Sequence, residues 1–106
     1  MRLRRKAGTK EFLSRHQDMV VLNPREYRGR WRDFFGNDRP IHVELGMGKG
    51  KFISEMSAMH PETNFIGIDL HDELLRRACE QAVMLRGEGG APNLALALGN
   101  IEYIEE

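Results

Sequence analysis

The apolar positions of this 106-residue chain change rhythm at Pro40. Beyond it, short apolar runs alternate with stretches in which apolar residues recur every three or four positions. Ile41–Leu45, Asn64–Asp69 (Asn-Phe-Ile-Gly-Ile-Asp) and Leu94–Leu98 read as strands. Lys49–His60 reads as a helix on the spacing of Phe52, Ile53, Met56 and Met59, and His60-Pro61 closes it. Asp72 to about Arg86 reads as a second helix, with Leu74, Leu75, Ala78, Ala82 and Leu85 as its buried stripe. Residues 101–106 read as the first turn of another. Alternating strands and helices predict an α/β fold of parallel βαβ units with both sheet faces covered. Three parallel strands are expected in spatial order 3-2-1, and the flank of the first, Ile41–Leu45, is expected to be an uncovered apolar edge.

Before Pro40 the pattern is weaker. Thr9 to about His16 predicts a short helix capped by Thr9, with Phe12 and Leu13 as its apolar contacts. Val20-Val21-Leu22 is a brief extended run closed by Asn23-Pro24. A helix over Glu26–Phe35 would group Tyr27, Trp31, Phe34 and Phe35 on one side. Packing of that side onto the domain is preferred to stacking on bases.

Composition adds little: 41% hydrophobic and 30% charged is ordinary for a globular domain. No apolar run approaches the roughly 18 residues that cross a bilayer, so no membrane role is expected. The basic amino terminus has no apolar segment behind it and does not resemble a secretory signal. Cys79 is the only cysteine, which makes an internal disulfide impossible and a reducing, cytoplasmic setting the expectation. Charge adds more. Residues 1–40 carry eleven Lys/Arg against five Asp/Glu, and residues 41–106 carry the reverse, five against eleven. A basic segment beside an acidic body points to a polyanionic partner, the plainer alternative being a solvated surface.

The chemistry concentrates where the first strand meets the helix after it. Val43-Glu44-Leu45-Gly46-Met47-Gly48-Lys49-Gly50 is a glycine turn that lets backbone approach a ligand. A dinucleotide fingerprint fails, because Lys51 stands where its third glycine belongs. A phosphate loop fails twice, with Leu45 at its first glycine and Phe52 at its hydroxyl position. The remaining pattern, Glu-x-Gly-x-Gly-x-Gly, resembles the first motif of class I S-adenosylmethionine-dependent methyltransferases. An acid suits a cofactor that carries an ammonium and a sulfonium, and would repel a diphosphate. Asp69 follows Gly46 by 23 residues, at the end of the second strand. A carboxylate there can accept ribose hydroxyls, or it can cap the next helix. Asn100, at the end of the third strand, either meets an adenine edge or caps the helix after it.

The resemblance then becomes more specific. Met1-Arg2-Leu3-Arg4-Arg5-Lys6, Leu22-Asn23-Pro24 with Tyr27 and Trp31, and Phe34-Phe35-Gly36-Asn37 resemble the amino-terminal region of bacterial tRNA (guanine-N7-)-methyltransferases. Ile41-His42-Val43-Glu44-Leu45-Gly46 continues the likeness into the glycine turn. The resemblance implies a partial Rossmann-like class I methyltransferase fold: a basic extension with short helices over 1–40, and the S-adenosylmethionine-binding half of the domain over 41–106. It implies cofactor contacts at Glu44, Gly46, Gly48, Gly50, Asp69 and Asn100. It makes tRNA the partner, with Arg2, Arg4, Arg5, Lys6 and Lys10 meeting phosphates, and Arg25, Arg28, Arg30 and Arg32 adding to them. The family continues for about as long again, through an Asp-Pro-Trp-Pro-Lys-Lys-Arg-His stretch that holds the guanine. Catalytic residues are therefore expected outside this sequence, and the isolated piece is expected to be inactive and prone to associate, as a homo-oligomer or otherwise. The alternatives are a methyltransferase with another substrate and a non-catalytic RNA-binding module. His16, His42, His60 and His71 show no ligand spacing, so no metal is expected.

Overall fold

The structure, a computed structural model, describes residues 8–46 and 50–99. In chain order these form α1 (Thr9–Ser14), β1 (Val20–Val21), a 3-10 turn (Pro24–Tyr27), α2 (Trp31–Phe35), β2 (Ile41–Leu45), α3 (Lys51–Met59), β3 (Asn64–Asp69), α4 (Asp72–Arg86) and β4 (Leu94–Leu98). All strand pairs are parallel, in the order β1-β4-β3-β2. The three strands after Pro40 thus lie in the expected order. The brief run at Val20-Val21 joins them as a fourth strand, with Val20 beside Leu96 and Val21 beside Ala97.

Strict alternation sorts these strands between two cores. Val20, Phe65, Leu94 and Leu96 face a layer made by α1, α3 and α4, where they meet Leu13, Ile53, Leu75, Ala78, Cys79 and Ala82. Val21, Ile66, Ile68, Ala95 and Ala97 face the other way, onto Trp31 with Tyr27, Phe34 and Phe35 around it. The small side chains of Ala95 and Ala97 leave room for the indole, which is 3% exposed. The aromatic residues of the amino-terminal segment therefore form the second covering layer of the sheet.

Two local expectations are corrected. Residues 26–35 do not form one helix: Gly29 at φ 74° separates the 3-10 turn from α2. Thr9 does not cap α1, whose first turn follows Gly8 without a side-chain cap. Its hydroxyl instead donates to the buried Glu73 carboxylate on α4 and accepts from Arg76 at 3.2 Å. A buried carboxylate needs such partners, and this pair fastens α1 to the first turns of α4.

At the amino ends of β3 and β4, Asn93 acts as a hub. Its amide donates to the carbonyls of Ser57 (2.9 Å), His60 (3.1 Å) and Thr63 (2.9 Å), and its oxygen accepts from Arg86 at 2.7 Å. These carbonyls belong to the end of α3 and the loop after it, where helices leave acceptors unpaired. Asn93→Ala is expected to lower stability by about 3 kcal/mol, because three acceptors, one buried and two part-buried, lose one donor group. Asn93→Asp should do no better, since it sets a carboxylate against carbonyls. Urea unfolding of both variants checks this.

Cys79 is fully buried on α4. Burial first, then the charges of Asp18, Glu80 and Glu88, push its thiol up to about 12 from an ordinary 9.0. The unfolded thiol ionises near 9 and the folded one near 12, so this stability is complete below pH 9 and declines as pH rises toward 12. The expected slope approaches about 1.4 kcal/mol per pH unit in that window. Denaturation curves at pH 8 and pH 10, compared with Cys79→Ala, isolate the contribution, and the Ala variant should lack this part of the alkaline loss.

Candidate cofactor-binding site

The carboxyl ends of β2, β3 and β4 frame a cavity of about 260 Å³. Its walls are Leu45 at the end of β2 and Gly46 just after it, Ile68 to His71 from β3 and the turn after it, and Gly99 beyond β4. Ladder hydrogen bonds continue past the strands to fix this rim: Gly46 N–H donates to Ile68 (2.9 Å) and Gly99 N–H to Asp69 (2.8 Å). Gly46 takes φ 67°, and a Cβ built there would meet nothing within 4 Å. The glycine is required by its backbone angle, and the space beside it is open.

Asp69 sits at the centre with its side chain 8% exposed. Its Oδ1 accepts twice from His71, from the backbone N–H at 3.0 Å and the ring Nδ1 at 3.2 Å. This Asx-type turn holds the carboxylate in one orientation. Among the described residues no donor engages Oδ2, and Asp69 is one of the residues that line the cavity. His71 was not singled out as a site residue from sequence. The signal was present in the Asp-x-His spacing, which brings the backbone N–H two residues on within reach of a carboxylate.

The other residues marked out by the sequence are distributed unevenly. Glu44 precedes the cavity wall, half-exposed, and its Oε1 pairs with His42 Nε2 at 3.0 Å. Gly50 stands at the start of α3 at φ 78°, and its backbone lies against Ala78 of α4. Lys10 is exposed on α1. Gly48, Asn100, Arg2, Arg4, Arg5 and Lys6 lie outside the described residues. Leu45 and Leu70, 60% and 68% exposed, supply apolar surface at the mouth of the cavity. Among the described residues no cluster of His, Cys, Asp or Glu could hold a metal, and no helix is long and apolar enough to cross a membrane.

A parallel sheet with a glycine turn after one strand and an acid ending the next is an arrangement found in α/β folds that bind nucleotide-like ligands at this edge, and solved structures share the fold. An antibiotic-related methyltransferase superposes with a TM-score of 0.57 at 21% identity, covering 82% of this chain and 42% of that one. The 30S ribosomal A1408 methyltransferase from an uncultured bacterium superposes with a TM-score of 0.55 at 20% identity, over 74% of this chain and 36% of that one. The profile of the family described as "Putative methyltransferase" matches residues 38–106, and the chain belongs to that family. Among curated relatives, the tRNA (guanine-N(7)-)-methyltransferase of Geobacillus thermodenitrificans (strain NG80-2) is 45% identical over 100 residues, 94% of this chain and 44% of that protein. The enzyme of the same name from Streptococcus pneumoniae (strain Hungary19A-6) is 46% identical over 96 residues, 91% of this chain and 44% of that protein. The chain thus spans less than half the length of these relatives.

Proposed function

We propose that this chain supplies the S-adenosylmethionine-binding part of a tRNA (guanine-N7-)-methyltransferase. The observation that carries the cofactor reading is Asp69, which lines the cavity with one oxygen held by His71 and no donor on the other among the described residues. A ribose presents two neighbouring hydroxyl donors, which is what such an acceptor takes. Gly46 brings bare backbone to the same rim, and Leu45 and Leu70 offer apolar faces to a purine. Glu44 already accepts an N–H from His42, and exchanging that partner for the ammonium of the methionyl group would cost little. Asn100 is assigned to the adenine edge, and Gly48 and Gly50 to the turn itself. The substrate reading rests on the identity to relatives of that name together with the basic amino-terminal segment.

S-adenosylmethionine, when bound, supplies an electrophilic methyl group. Guanine N7 carries an in-plane lone pair, so attack requires no proton to be removed from it. What this chain contributes is placement: Asp69 and the glycine turn hold the donor at the carboxyl edge of the sheet, and orientation of this kind can account for a large part of a rate. Arg2, Arg4, Arg5, Lys6 and Lys10 are assigned to tRNA phosphates, which give sequence-independent and salt-sensitive affinity.

The test is methylation of unmodified tRNA by the full-length gene product, read as 7-methylguanosine in nuclease digests, the 106-residue chain alone being expected to form none. Gel-shift titration alongside should show affinity for tRNA falling with salt, with a log–log slope of about −3 or steeper for this many cations. Absence of tRNA binding at low salt would sink the substrate reading and leave the cofactor reading to calorimetry with S-adenosylhomocysteine.

A further inference from the structure

A second cavity, of about 280 Å³, runs along the outer edge of β1, the terminal strand of the sheet, and belongs to no part of the site above. Because β1 runs parallel to β4, the loop leaving it (Leu22, Asn23) emerges at the same carboxyl edge of the sheet as Asp69. Two strand spacings separate β1 from β3, about 10 Å. The cavity is therefore near the cofactor site and distinct from it.

Its lining combines three kinds of group. Tyr27 and Phe34 supply ring surface. They are held in place by edge contacts within the aromatic layer, 5.4 Å between Tyr27 and Phe34 and 5.9 Å between Trp31 and Phe34. Gln17, Asn23 and Glu26 supply polar groups. Glu26 Oε1 accepts from Asn23 Nδ2 at 3.1 Å, which steadies the carboxylate on the 3-10 turn. The same turn is edged by arginines: Arg25, Arg28 and Arg30 are exposed, and Arg30 donates to the Glu26 carbonyl at 2.6 Å. Glu26 is itself exposed and lines the cavity at its rim, with the arginines on the same turn. A carboxylate in the lining does not suit a free anion; with flat rings beside it, it suits a base that donates N–H.

We propose that this cavity takes an unstacked guanosine of the RNA, a nucleoside other than the one that is methylated. Rings against Tyr27 and Phe34 account for the flat face, and stacking of this kind is how unpaired bases are commonly held. Guanine is the standard base that presents two adjacent N–H donors, N1–H and the N2 amino group, to a single carboxylate. Its phosphates lie toward Arg25 and Arg28. The proposal rests on the tRNA reading for its partner, and its test does not depend on methyl transfer.

Irradiation of the protein with tRNA at 254 nm, followed by nuclease digestion and mass spectrometry, should place a guanosine adduct on Tyr27 or Phe34. Glu26→Gln keeps the shape and replaces a two-oxygen acceptor by one acceptor and one donor. It should weaken tRNA binding about 10-fold, in keeping with the worth of one paired base contact. Affinity for S-adenosylhomocysteine should stay unchanged. Adducts confined to other residues, or an unaltered tRNA affinity in Glu26→Gln, would overturn the proposal. If adducts form at Tyr27 while no 7-methylguanosine is made, the cavity stands and the proposed reaction fails.

Discussion

Asp69→Ala is expected to weaken S-adenosylhomocysteine binding by about 100-fold, which corresponds to about 2.7 kcal/mol. The side chain is 8% exposed, so its acceptor is largely withdrawn from water before any ligand arrives. Each hydrogen bond from a hydroxyl to a charged acceptor is worth about 1.5–3 kcal/mol, and a ribose brings two hydroxyls. Asp69→Asn, which keeps the shape and the place beside His71 but loses the charge, should fall between wild type and Ala. Titration calorimetry measures both, and circular dichroism guards against unfolding. Equal affinities for wild type and Ala would remove Asp69 from the cofactor site. His71→Ala should cost less, since it frees the carboxylate to rotate and leaves its charge in place.

The second large effect is on stability. Gly50→Ala places a Cβ 2.3 Å from Ala78 Cα and 2.5 Å from Ala78 Cβ, at a backbone angle of φ 78°. Helix backbone is what stands in the way, so no flexible side chain can yield. Overpacking costs about 1–3 kcal/mol, and a left-handed angle on a non-glycine residue adds about 1 kcal/mol. A loss of about 3 kcal/mol is expected, which in a domain of this size lowers Tm by roughly 12–24 °C. Ala78→Gly in the same chain removes only the Cβ contact and leaves the Cα in the way, so it should recover little of the loss. Thermal denaturation of the single and double variants measures this, and full recovery by Ala78→Gly would mean that the two backbones do not collide.

The parts of the fold legible in the sequence are those whose packing follows a local period. The strands Asn64–Asp69 and Leu94–Leu98 and the helix over Asp72–Arg86 announce themselves because each buries a repeating set of residues, although Leu85 of the expected stripe is 51% exposed and Cys79 is buried in the set instead. Ile41–Leu45 was legible from its apolar run and the glycine turn after it, and none of its residues is fully buried. Val20-Val21 was visible only as an extended run. Two residues hold no period, and their place beside β4 is decided by Leu96 and Ala97 far along the chain. Thr9 misled for the same reason: a hydroxyl at a helix start ordinarily caps it, but here a buried Glu73 claims it. Gly29 broke a pattern that periodicity alone would have carried through. In the site, the Asp69 position followed from strand length. The pairing of Glu44 with His42 did not, because alternation along a strand puts both on one face without stating that they touch.

The short strand β1 bears on the order of assembly. Its partner in the sheet is β4, so it cannot be seated until Leu94–Leu98 exists as a strand. During synthesis the amino-terminal segment leaves the ribosome first and finds its place late. In that interval Leu13, Met19, Val20 and Trp31, all nearly fully buried in the finished fold, have no sheet to cover them. Closing a contact between such distant parts of a chain is slow compared with forming local helices. The nascent polypeptide thus passes through a period of exposed apolar surface in which holding factors, or a pause in translation, would raise the yield of native protein.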